Sequence, residues 1–247
     1  MNEPKPKKSL GQHWLHDEHT LQQIVDLAGL SRGEKALEIG PGLGTLTEVL
    51  LRAGADVTAV ECDRELYEDL LAWSNSLAAE DSSRLEVIRQ DILEYRLDLL
   101  PPNYKVIANI PYYLTSNLIR LLGETDNRPL RAVVLIQKEV AERLCACSLG
   151  PVVPDRLFMP PPKVDSQVLI LDRLNSPQVT SSNLKQLTKL TKAGFSNKRK
   201  TLHNSLAAGL HISKDEAKQL LHKAGLAASA RPQELSTAQW LKLADVI

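Results

Sequence analysis

A glycine-rich turn between a predicted strand and a predicted helix constrains the fold of this 247-residue chain more than any other feature. Residues 35–39 are mostly apolar and predict a buried strand, and the apolar pattern of residues 45–51 predicts a helix. Glycines at positions 40, 42 and 44 connect the two elements. This order opens a nucleotide-binding βαβ unit, although a plain turn without a ligand has the same pattern.

The acidic residue after the second predicted strand narrows the choice of ligand. Residues 56–60 form this strand, and Glu61 follows it, where a carboxylate can accept hydrogen bonds from a ribose diol. Position 45 is Thr, so the turn lacks the G-x-G-x-x-G dinucleotide fingerprint. The pattern therefore favours a ligand with a ribose but without a pyrophosphate. A surface Glu after an ordinary turn is the alternative.

Further strands are predicted at residues 85–89, 104–108 and 132–136, with helical patterns between them. This alternation predicts an α/β fold with a mostly parallel, doubly wound sheet. Ligands bind at the C-terminal ends of parallel strands, so Asp91 is predicted to face the same rim as Glu61. There Asp91 can accept a hydrogen bond from an adenine amine while Ile92 packs on the ring. Asp is also common as a turn residue at such a place.

The fourth predicted strand ends in Asn109-Ile110-Pro111-Tyr112, which combines three groups suited to a base with an exocyclic amine. Pro111 favours an extended Ile110, which can hold the Ile110 carbonyl beside the Asn109 side chain. Two neighbouring acceptors suit an amine with two hydrogens, and the Tyr112 ring offers a face for stacking. A strand that ends at a proline turn is the alternative.

A proline-rich loop precedes the last predicted strand, residues 167–171. Consecutive prolines at positions 160–162 stiffen the backbone near polyproline II and present Phe158 from a rigid loop. Phe158 is thus a candidate second stacking face opposite Tyr112. Burial of its ring in the core is the other interpretation.

The pattern after residue 174 predicts a second domain. We assign residues 1–174 to the α/β domain, with a mobile basic arm at residues 1–8, and residues 175–247 to a small helical domain. Its helices are predicted at residues 185–195, 198–209, 214–224 and 237–246. From Arg173 to Lys214 the chain has eight Lys and Arg and no Asp or Glu. Such a block predicts a surface for a polyanion, with an ordinary solvated helix face as the alternative.

Composition excludes several classes of protein. The three cysteines Cys62, Cys145 and Cys147 fit neither zinc-site spacing nor a disulfide framework, so we expect no metal and a reduced, cytoplasmic setting. No apolar run approaches membrane-spanning length and the N-terminus is too polar for a signal peptide, so we expect no membrane association. No sequence feature demands a dimer, and we expect a monomer.

Together these motifs resemble those of the ribosomal RNA adenine dimethylases, which dimethylate adenines in small-subunit (16S) ribosomal RNA. The resemblance covers nearly the whole chain and rests on residues 10–15 (LGQHWL), 38–44 (EIGPGLG), 61, 91–92, 109–113 (NIPYY), 137–140 (QKEV), 158–166 (FMPPPKVDS) and 195–202 (FSNKRKTL). It implies a Rossmann-like class I methyltransferase sheet followed by a small all-helical C-terminal domain that binds RNA. It also implies S-adenosylmethionine as the cofactor and small-subunit ribosomal RNA, or a 30S precursor, as the substrate.

The resemblance further implies roles for individual residues. Those expected to contact the cofactor are Gln12, His13, Leu15, Gly40, Gly42, Glu61, Cys62, Asp91, Ile92 and Asn109. Asn109 and the Ile110 carbonyl, set by Pro111, would hold the target N6 of the adenine. Tyr112 and Phe158 would enclose the flipped base. Those expected to bind RNA are Lys192, Lys198, Arg199 and Lys200. The family commonly has Asn where His13 stands.

One segment departs from the family pattern. Between Leu144 and Phe158 the family has a longer segment that includes a strand beside the last one, and here only residues 145–157 remain. The difference is about one strand and a loop. It reflects either a true deletion or residues absent from the printed sequence. A true deletion is expected to leave the last strand at the sheet edge and to alter the placement of Phe158.

Two other functions stay open at this point. A large-subunit adenine methylase of the antibiotic-resistance type shares the catalytic motifs, although residues 195–206 and the Phe158 loop look more similar to the small-subunit enzymes. A non-catalytic RNA-binding assembly factor could keep the same fold. The intact Gly40, Glu61 and Asn109 argue against that last function.

Overall fold

The computed structural model describes residues 6–7, 10–144, 147–174, 181–197 and 200–247, of which residues 181–184 are described only as part of a helix. The chain separates into two compact units, Met1–Arg173 and Leu174–Ile247. This division lies one residue before the boundary predicted from the sequence. Among the described residues, no helix has both the length and the apolar character needed to cross a bilayer.

The first unit alternates strands and helices, as the sequence predicts. Its strands are β1 (Trp14–Leu15), β2 (Lys35–Ile39), β3 (Asp56–Glu61), β4 (Leu85–Arg89), β5 (Lys105–Asn109), β6 (Arg131–Gln137), β7 (Ser148–Val153), β8 (Phe158–Met159) and β9 (Ser166–Asp172). Its helices are α1 (Glu18–Ala28), α2 (Thr45–Arg52), α3 (Arg64–Ser76), α4 (Ala79–Ser83), α5 (Thr115–Glu124) and α6 (Lys138–Ala141). Helix α6 has only four residues and ends at Ala141.

Seven strands form one sheet in the order β4-β3-β2-β5-β6-β9-β7. Strands β2 to β6 pair in parallel, whereas β9 pairs antiparallel with both β6 and β7. The parallel strands all end at the same edge of the sheet, and in such folds this edge binds ligands.

The shortened segment before Phe158 still forms a strand. Strand β7 pairs with β9 from Ser148 to Val153, with an irregularity between Leu149 and Val152. The expectation that a deletion leaves the last strand at the sheet edge is therefore wrong, because β7 takes that place. Pro151 is compatible with β7 because an edge strand has backbone groups that face away from the sheet.

Two apolar cores lie on opposite faces of the sheet, because successive strand residues point to opposite sides. Ala36 of β2 packs in the cluster that contains Ile24 of α1 and Leu50 of α2. The next residue, Leu37, packs in the other cluster, with Leu118 of α5. Glu38 follows on the side of Ala36, so its carboxyl group points toward the α1 and α2 layer.

The N-terminal segment is held by a strand pairing that the sequence did not predict. Trp14 and Leu15 of β1 pair antiparallel with Met159 and Phe158 of β8. A two-residue strand carries no readable periodicity, and its partner lies more than 140 positions away in the chain. The pairing places residues 10–15 beside the proline-rich loop.

The second unit is helical. Its helices are α7 (Ser181–Phe195), α8 (Leu202–Leu210), α9 (Lys214–Lys223) and α10 (Thr237–Asp245), and they enclose one apolar cluster around Leu202 and Leu206. Ser213 and Ser236 form capping boxes at the start of α9 and α10. Helix α8 begins at Leu202 rather than at the predicted residue 198.

Candidate active site

The C-terminal ends of β2, β3, β4 and β5 open into one cavity. Its wall includes residues 10–15, 38–42, 60–62, 90–93 and 109–114, and Phe158, together with side chains of α1, α2, α3 and α5. All fourteen residues predicted from the sequence to contact the cofactor or the target base lie in this wall. The cavity lies wholly within the first unit.

The glycine turn after β2 needs glycine for conformation and for space. Gly40 and Gly42 have φ values of 65° and 57°, a region that other residues rarely adopt. A Cβ atom on Gly42 would lie 3.0 Å from the indole ring of Trp14. No described atom lies within 4 Å of a Cβ on Gly40. At Gly40 and Gly42 the turn thus brings backbone without a side chain into the wall.

Glu61 is held at the end of β3 by two backbone donors. The Gly42 N–H donates to its Oε2 at 3.2 Å, and the Asp63 N–H donates to its Oε1 at 2.8 Å. Glu61 is buried, and this burial raises the pKa of its carboxyl group. Each carboxylate oxygen can accept a further hydrogen bond, which the ribose role requires.

The wall beside Glu61 contains the other residues predicted for the adenosine half. Asp91 is exposed, and its Oδ1 accepts a hydrogen bond from the Leu93 N–H at 2.9 Å. Ile92 is buried. Partial desolvation, with the Glu61 and Asp91 carboxylates nearby, raises the pKa of the Cys62 thiol to about 11. Cys62 therefore remains a thiol at neutral pH.

Asn109 ends β5 with its amide oriented by the N-terminal segment. Its Nδ2 donates to the His13 backbone oxygen at 3.1 Å. Because a carbonyl can only accept, the NH₂ group faces His13 and the Asn109 Oδ1 is left as an acceptor. Ile110 is buried beside it, and Pro111 has φ −57° and ψ 137°, so the chain leaves the strand in an extended conformation.

The hydroxyl and the ring of Tyr112 both have contacts that fix the side chain. Its hydroxyl lies 2.8 Å from the Ser166 Oγ, and burial raises the pKa of this phenol. The His13 ring stacks on the Tyr112 ring with centroids 6.1 Å apart. His13 Nδ1 donates to the Pro160 backbone oxygen at 2.7 Å, which fixes the imidazole against the proline-rich loop.

The position of Phe158 is compatible with both interpretations of its ring, as a core residue and as a stacking face. The ring is only 5% exposed and packs in the apolar cluster that contains Leu15. It also lines the cavity. The shortened segment therefore does not remove Phe158 from the site, and its stacking role stays a prediction.

Gln12 lies in the wall, but both atoms of its amide are hydrogen-bonded to Lys7 and Asp63. Its Oε1 accepts from the Lys7 N–H at 2.7 Å and its Nε2 donates to Asp63 at 3.2 Å. The Lys7 ammonium contacts Asp63 at 2.9 Å and Glu65 at 3.0 Å. Most of the arm predicted at residues 1–8 lies outside the described residues, and Lys7 itself is ion-paired.

Several wall residues received no role from the sequence, among them Trp14, Glu38 and Tyr113. All three stand in the motifs that carry the family resemblance. Glu38 gave a further signal, because it is a charged residue between apolar residues of a predicted buried strand. Within the described part of the chain no group of three or more His, Cys, Asp and Glu side chains could hold a metal ion.

The basic residues of the second unit are exposed where they are described. Lys185, Lys189 and Lys192 are spaced by four and three positions on α7, which places them on one face of the helix. Lys200 is also exposed. Lys198 and Arg199 lie outside the described residues.

Known proteins resemble this chain over nearly its whole length. The family model described as Ribosomal RNA adenine dimethylase matches residues 4–150 and 151–247. The Ribosomal RNA small subunit methyltransferase A of Thermosynechococcus vestitus is 39% identical, over 98% of this chain and 97% of the relative. The protein of the same name from Dehalococcoides mccartyi strain BAV1 is 38% identical, over 97% of this chain and 87% of the relative.

Solved structures have the same fold. A dimethyladenosine transferase from Plasmodium falciparum has a TM-score of 0.76 at 26% identity and covers 94% of this chain and 96% of its own. The 23S rRNA methyltransferase ErmE has a TM-score of 0.70 at 25% identity and covers 94% of this chain and 98% of its own.

Proposed function

The chain belongs to the family of ribosomal RNA adenine dimethylases, which use S-adenosylmethionine, and on this premise we propose that its substrate is small-subunit ribosomal RNA. It transfers methyl groups to the N6 of adenines and gives N6,N6-dimethyladenosine. The proposal is supported by relatives at 38–39% identity that are named for the small subunit. The transfer to an adenine N6 is carried by one observation: Asn109, with its Oδ1 left as an acceptor, and Tyr112 line the same cavity.

The cavity has the chemistry that S-adenosylmethionine requires. Its described wall contains the carboxyl groups of Glu38, Glu61 and Asp91 and no Lys or Arg. Such a wall suits a cationic sulfonium compound and disfavours a pyrophosphate, which needs donors or positive charge. Glu61 is proposed to accept hydrogen bonds from the ribose hydroxyls, and Asp91 from the adenine amine. When bound, S-adenosylmethionine supplies an electrophilic methyl group.

Asn109 acts on the nucleophile. The lone pair of adenine N6 is delocalised into the ring, so this nitrogen is a weak nucleophile. Hydrogen bonds from N6 to the Asn109 Oδ1 and the Ile110 carbonyl favour a pyramidal nitrogen with a more available lone pair. Positioning then provides much of the rate, because two reacting groups are held in line. No strong base is needed before the attack, because the ammonium formed is acidic.

The target base must leave its stack to reach the cavity. An extruded base loses stacking that aromatic faces replace in the enzyme. Tyr112, with its hydroxyl fixed on Ser166, provides one face. Phe158 is proposed as the other. The exposed lysines of α7, with Lys198, Arg199 and Lys200, are proposed to hold the phosphate backbone.

Methylation of purified subunits tests the function directly. Small subunits from a strain that lacks this modification would be incubated with labelled S-adenosylmethionine, followed by nucleoside analysis. We expect labelled N6,N6-dimethyladenosine in small-subunit RNA. No label there, but label in naked large-subunit RNA, would overturn the proposal in favour of the activity named for the ErmE structure. No label in either RNA, with tight RNA binding, would favour an assembly factor.

The cellular location, the oligomeric state and the metal requirement of the enzyme belong to the same proposal. We propose that the enzyme acts as a cytoplasmic monomer, without a metal, on small-subunit ribosomal RNA or a 30S precursor. Sedimentation of the purified protein tests the monomeric state, and activity in the presence of a chelator tests the absence of a metal. A dimer at micromolar concentration, or activity lost to chelation and restored by a metal, would contradict them.

A further inference from the structure

Glu38 is a buried carboxyl group that the proposed reaction does not use. It lies near the end of β2, is 1% exposed, and lines the cavity. Neither of its carboxyl oxygens has a hydrogen-bond partner among the described residues. A buried charge without a partner is highly unfavourable, so such a group either stays neutral or receives a cation.

No Lys or Arg side chain lies in the described wall of the cavity around Glu38. Its neighbours in the sheet are Ala59 of β3 and Ile107 of β5. From α2 the Thr47 hydroxyl approaches it without the geometry of a hydrogen bond, and the Glu61 carboxylate adds repulsion. The other titratable side chains in the described wall are His13, Cys62, Asp91, Tyr112 and Tyr113. Burial first, and Glu61 second, raise the pKa of the Glu38 carboxyl group to about 8.

We propose that Glu38 is protonated in the free enzyme and loses its proton when a cationic group of the methionine half of S-adenosylmethionine enters, so that cofactor binding releases a proton. The O–H bond of the carboxyl group breaks, the proton passes to solvent, and no covalent bond forms with the cofactor. The inference rests on this cavity being the S-adenosylmethionine site. It gives Glu38 a role in binding and none in methyl transfer itself.

Electrostatics requires this coupling if the cation lies close to Glu38. An opposite charge within about 4–6 Å favours the ionised form and lowers the pKa of a carboxyl group. The free enzyme then holds the proton below about pH 8, whereas the complex does not. Affinity for the cofactor should therefore rise with pH by up to about tenfold per unit, and level off above about pH 8.

Calorimetry in buffers with different ionisation enthalpies measures the released proton. At pH 7 and without RNA, we expect S-adenosylmethionine to release between about half and one proton from the wild-type enzyme. The Glu38→Gln variant should release none, and its affinity should lose the dependence on pH between 7 and 8. Equal proton release by the two proteins would overturn the proposal.

A series of ligands identifies the cation on the wild-type enzyme, whatever the folding of the variant. S-Adenosylhomocysteine retains the ammonium but lacks the sulfonium charge, and methylthioadenosine lacks both. If S-adenosylhomocysteine releases the proton and methylthioadenosine does not, the ammonium is the cation. Release with S-adenosylmethionine alone assigns the sulfonium. Release with methylthioadenosine would overturn the proposal, because that ligand carries no cation.

Tyr113→Phe is the matched control, because Tyr113 is another ionisable side chain in the wall of the same cavity and has no assigned contact with the cofactor. This variant should still release the proton, and loss of release in this variant alone would overturn the assignment to Glu38. The measurements need no RNA. A wrong assignment of the RNA substrate would therefore leave them unaffected, whereas no binding of S-adenosylmethionine to the wild-type enzyme would contradict the enzyme function itself.

Discussion

The cavity of the first unit and the basic face of the second unit are built in different ways. In the cavity, Glu61 and Asn109 each have fixed hydrogen-bond partners, and Glu61 is buried. On α7, Lys185, Lys189 and Lys192 are exposed, and their side chains extend into solvent. The first region offers a few groups at set positions, and the second offers several similar charges.

This difference predicts how strongly a substitution in each region affects function. A group held at one position acts through its geometry, so its loss has a large effect that a neighbour cannot replace. Exposed charges act through their sum and are screened by salt, so the loss of one has a small effect. The experiments below examine this contrast, beginning with the largest expected effect.

Removal of the Asn109 amide should nearly abolish methyl transfer. In Asn109→Ala the target N6 loses an oriented acceptor, and we expect the single-turnover rate to fall by about 100-fold or more. RNA affinity should stay within about twofold, because the phosphate contacts are assigned to the second unit. Quench-flow with labelled cofactor and a filter-binding assay measure the two quantities.

Asn75→Ala is the control, because Asn75 is exposed on α3. It should change neither the rate nor the affinity. If Asn109→Ala turns over at the normal rate, the amide has no role in activating N6, and the contrast between the two regions fails.

The two phenylalanines of the chain allow a second comparison, one in each unit. Phe158→Leu keeps an apolar side chain in the core but removes the flat ring, so the unfolding temperature should change little while the transfer rate falls by about tenfold. Phe195 stacks on Trp240 with centroids 5.7 Å apart. Phe195→Leu should leave the transfer rate at saturating RNA unchanged.

Thermal unfolding and single-turnover rates distinguish the roles of Phe158. A normal rate in a variant with unchanged stability would assign Phe158 to the core alone. A large loss of stability with a proportionate loss of rate would lead to the same conclusion.

Neutralisation of the α7 lysines should have the smallest effect and depend most on salt. With Lys185, Lys189 and Lys192 changed to Gln, we expect RNA affinity to fall by about fivefold at moderate salt. The slope of log affinity against log salt should decrease by roughly one to two, as for lost phosphate contacts. The rate of the bound complex should not change.

A matched change on another helix tests whether position matters. Lys214, Lys218 and Lys223 of α9 carry the same total charge. Their change to Gln should lower RNA affinity by less than about twofold. Equal effects from the two helices would show that RNA responds to net charge and not to the face of α7.

Much of the candidate site could be predicted because its residues follow strands. Glu61 ends β3, Asp91 follows β4, and Asn109 ends β5, so parallel pairing brings them to one edge. The role of Glu38 was missed because the local sequence shows only a charged residue within an apolar strand. Its burial and lack of partners depend on α2 and on the neighbouring strands.

The location of the Phe158 ring could not be predicted from local sequence patterns. The sequence left open whether its ring lies in the core or beside Tyr112, and the short segment before it predicted an edge at β9. Only the pairing of β7 with β9 and of β8 with β1 decided these points. Both pairings join residues that no local pattern relates, and β1 and β8 are too short to have a period.

The amino-acid sequence by itself determined the α/β alternation, the glycine turn, the helical second unit and the strand ends that carry chemistry. These features depend on local periodicity, on glycine conformation and on helix caps, all of which are encoded within a few residues. The tertiary structure alone decided which side chains are buried, which amide is oriented and which carboxyl group is left without a partner. Burial and hydrogen bonding depend on neighbours that are distant in the chain, and they set the pKa of Glu38 and the geometry of Asn109.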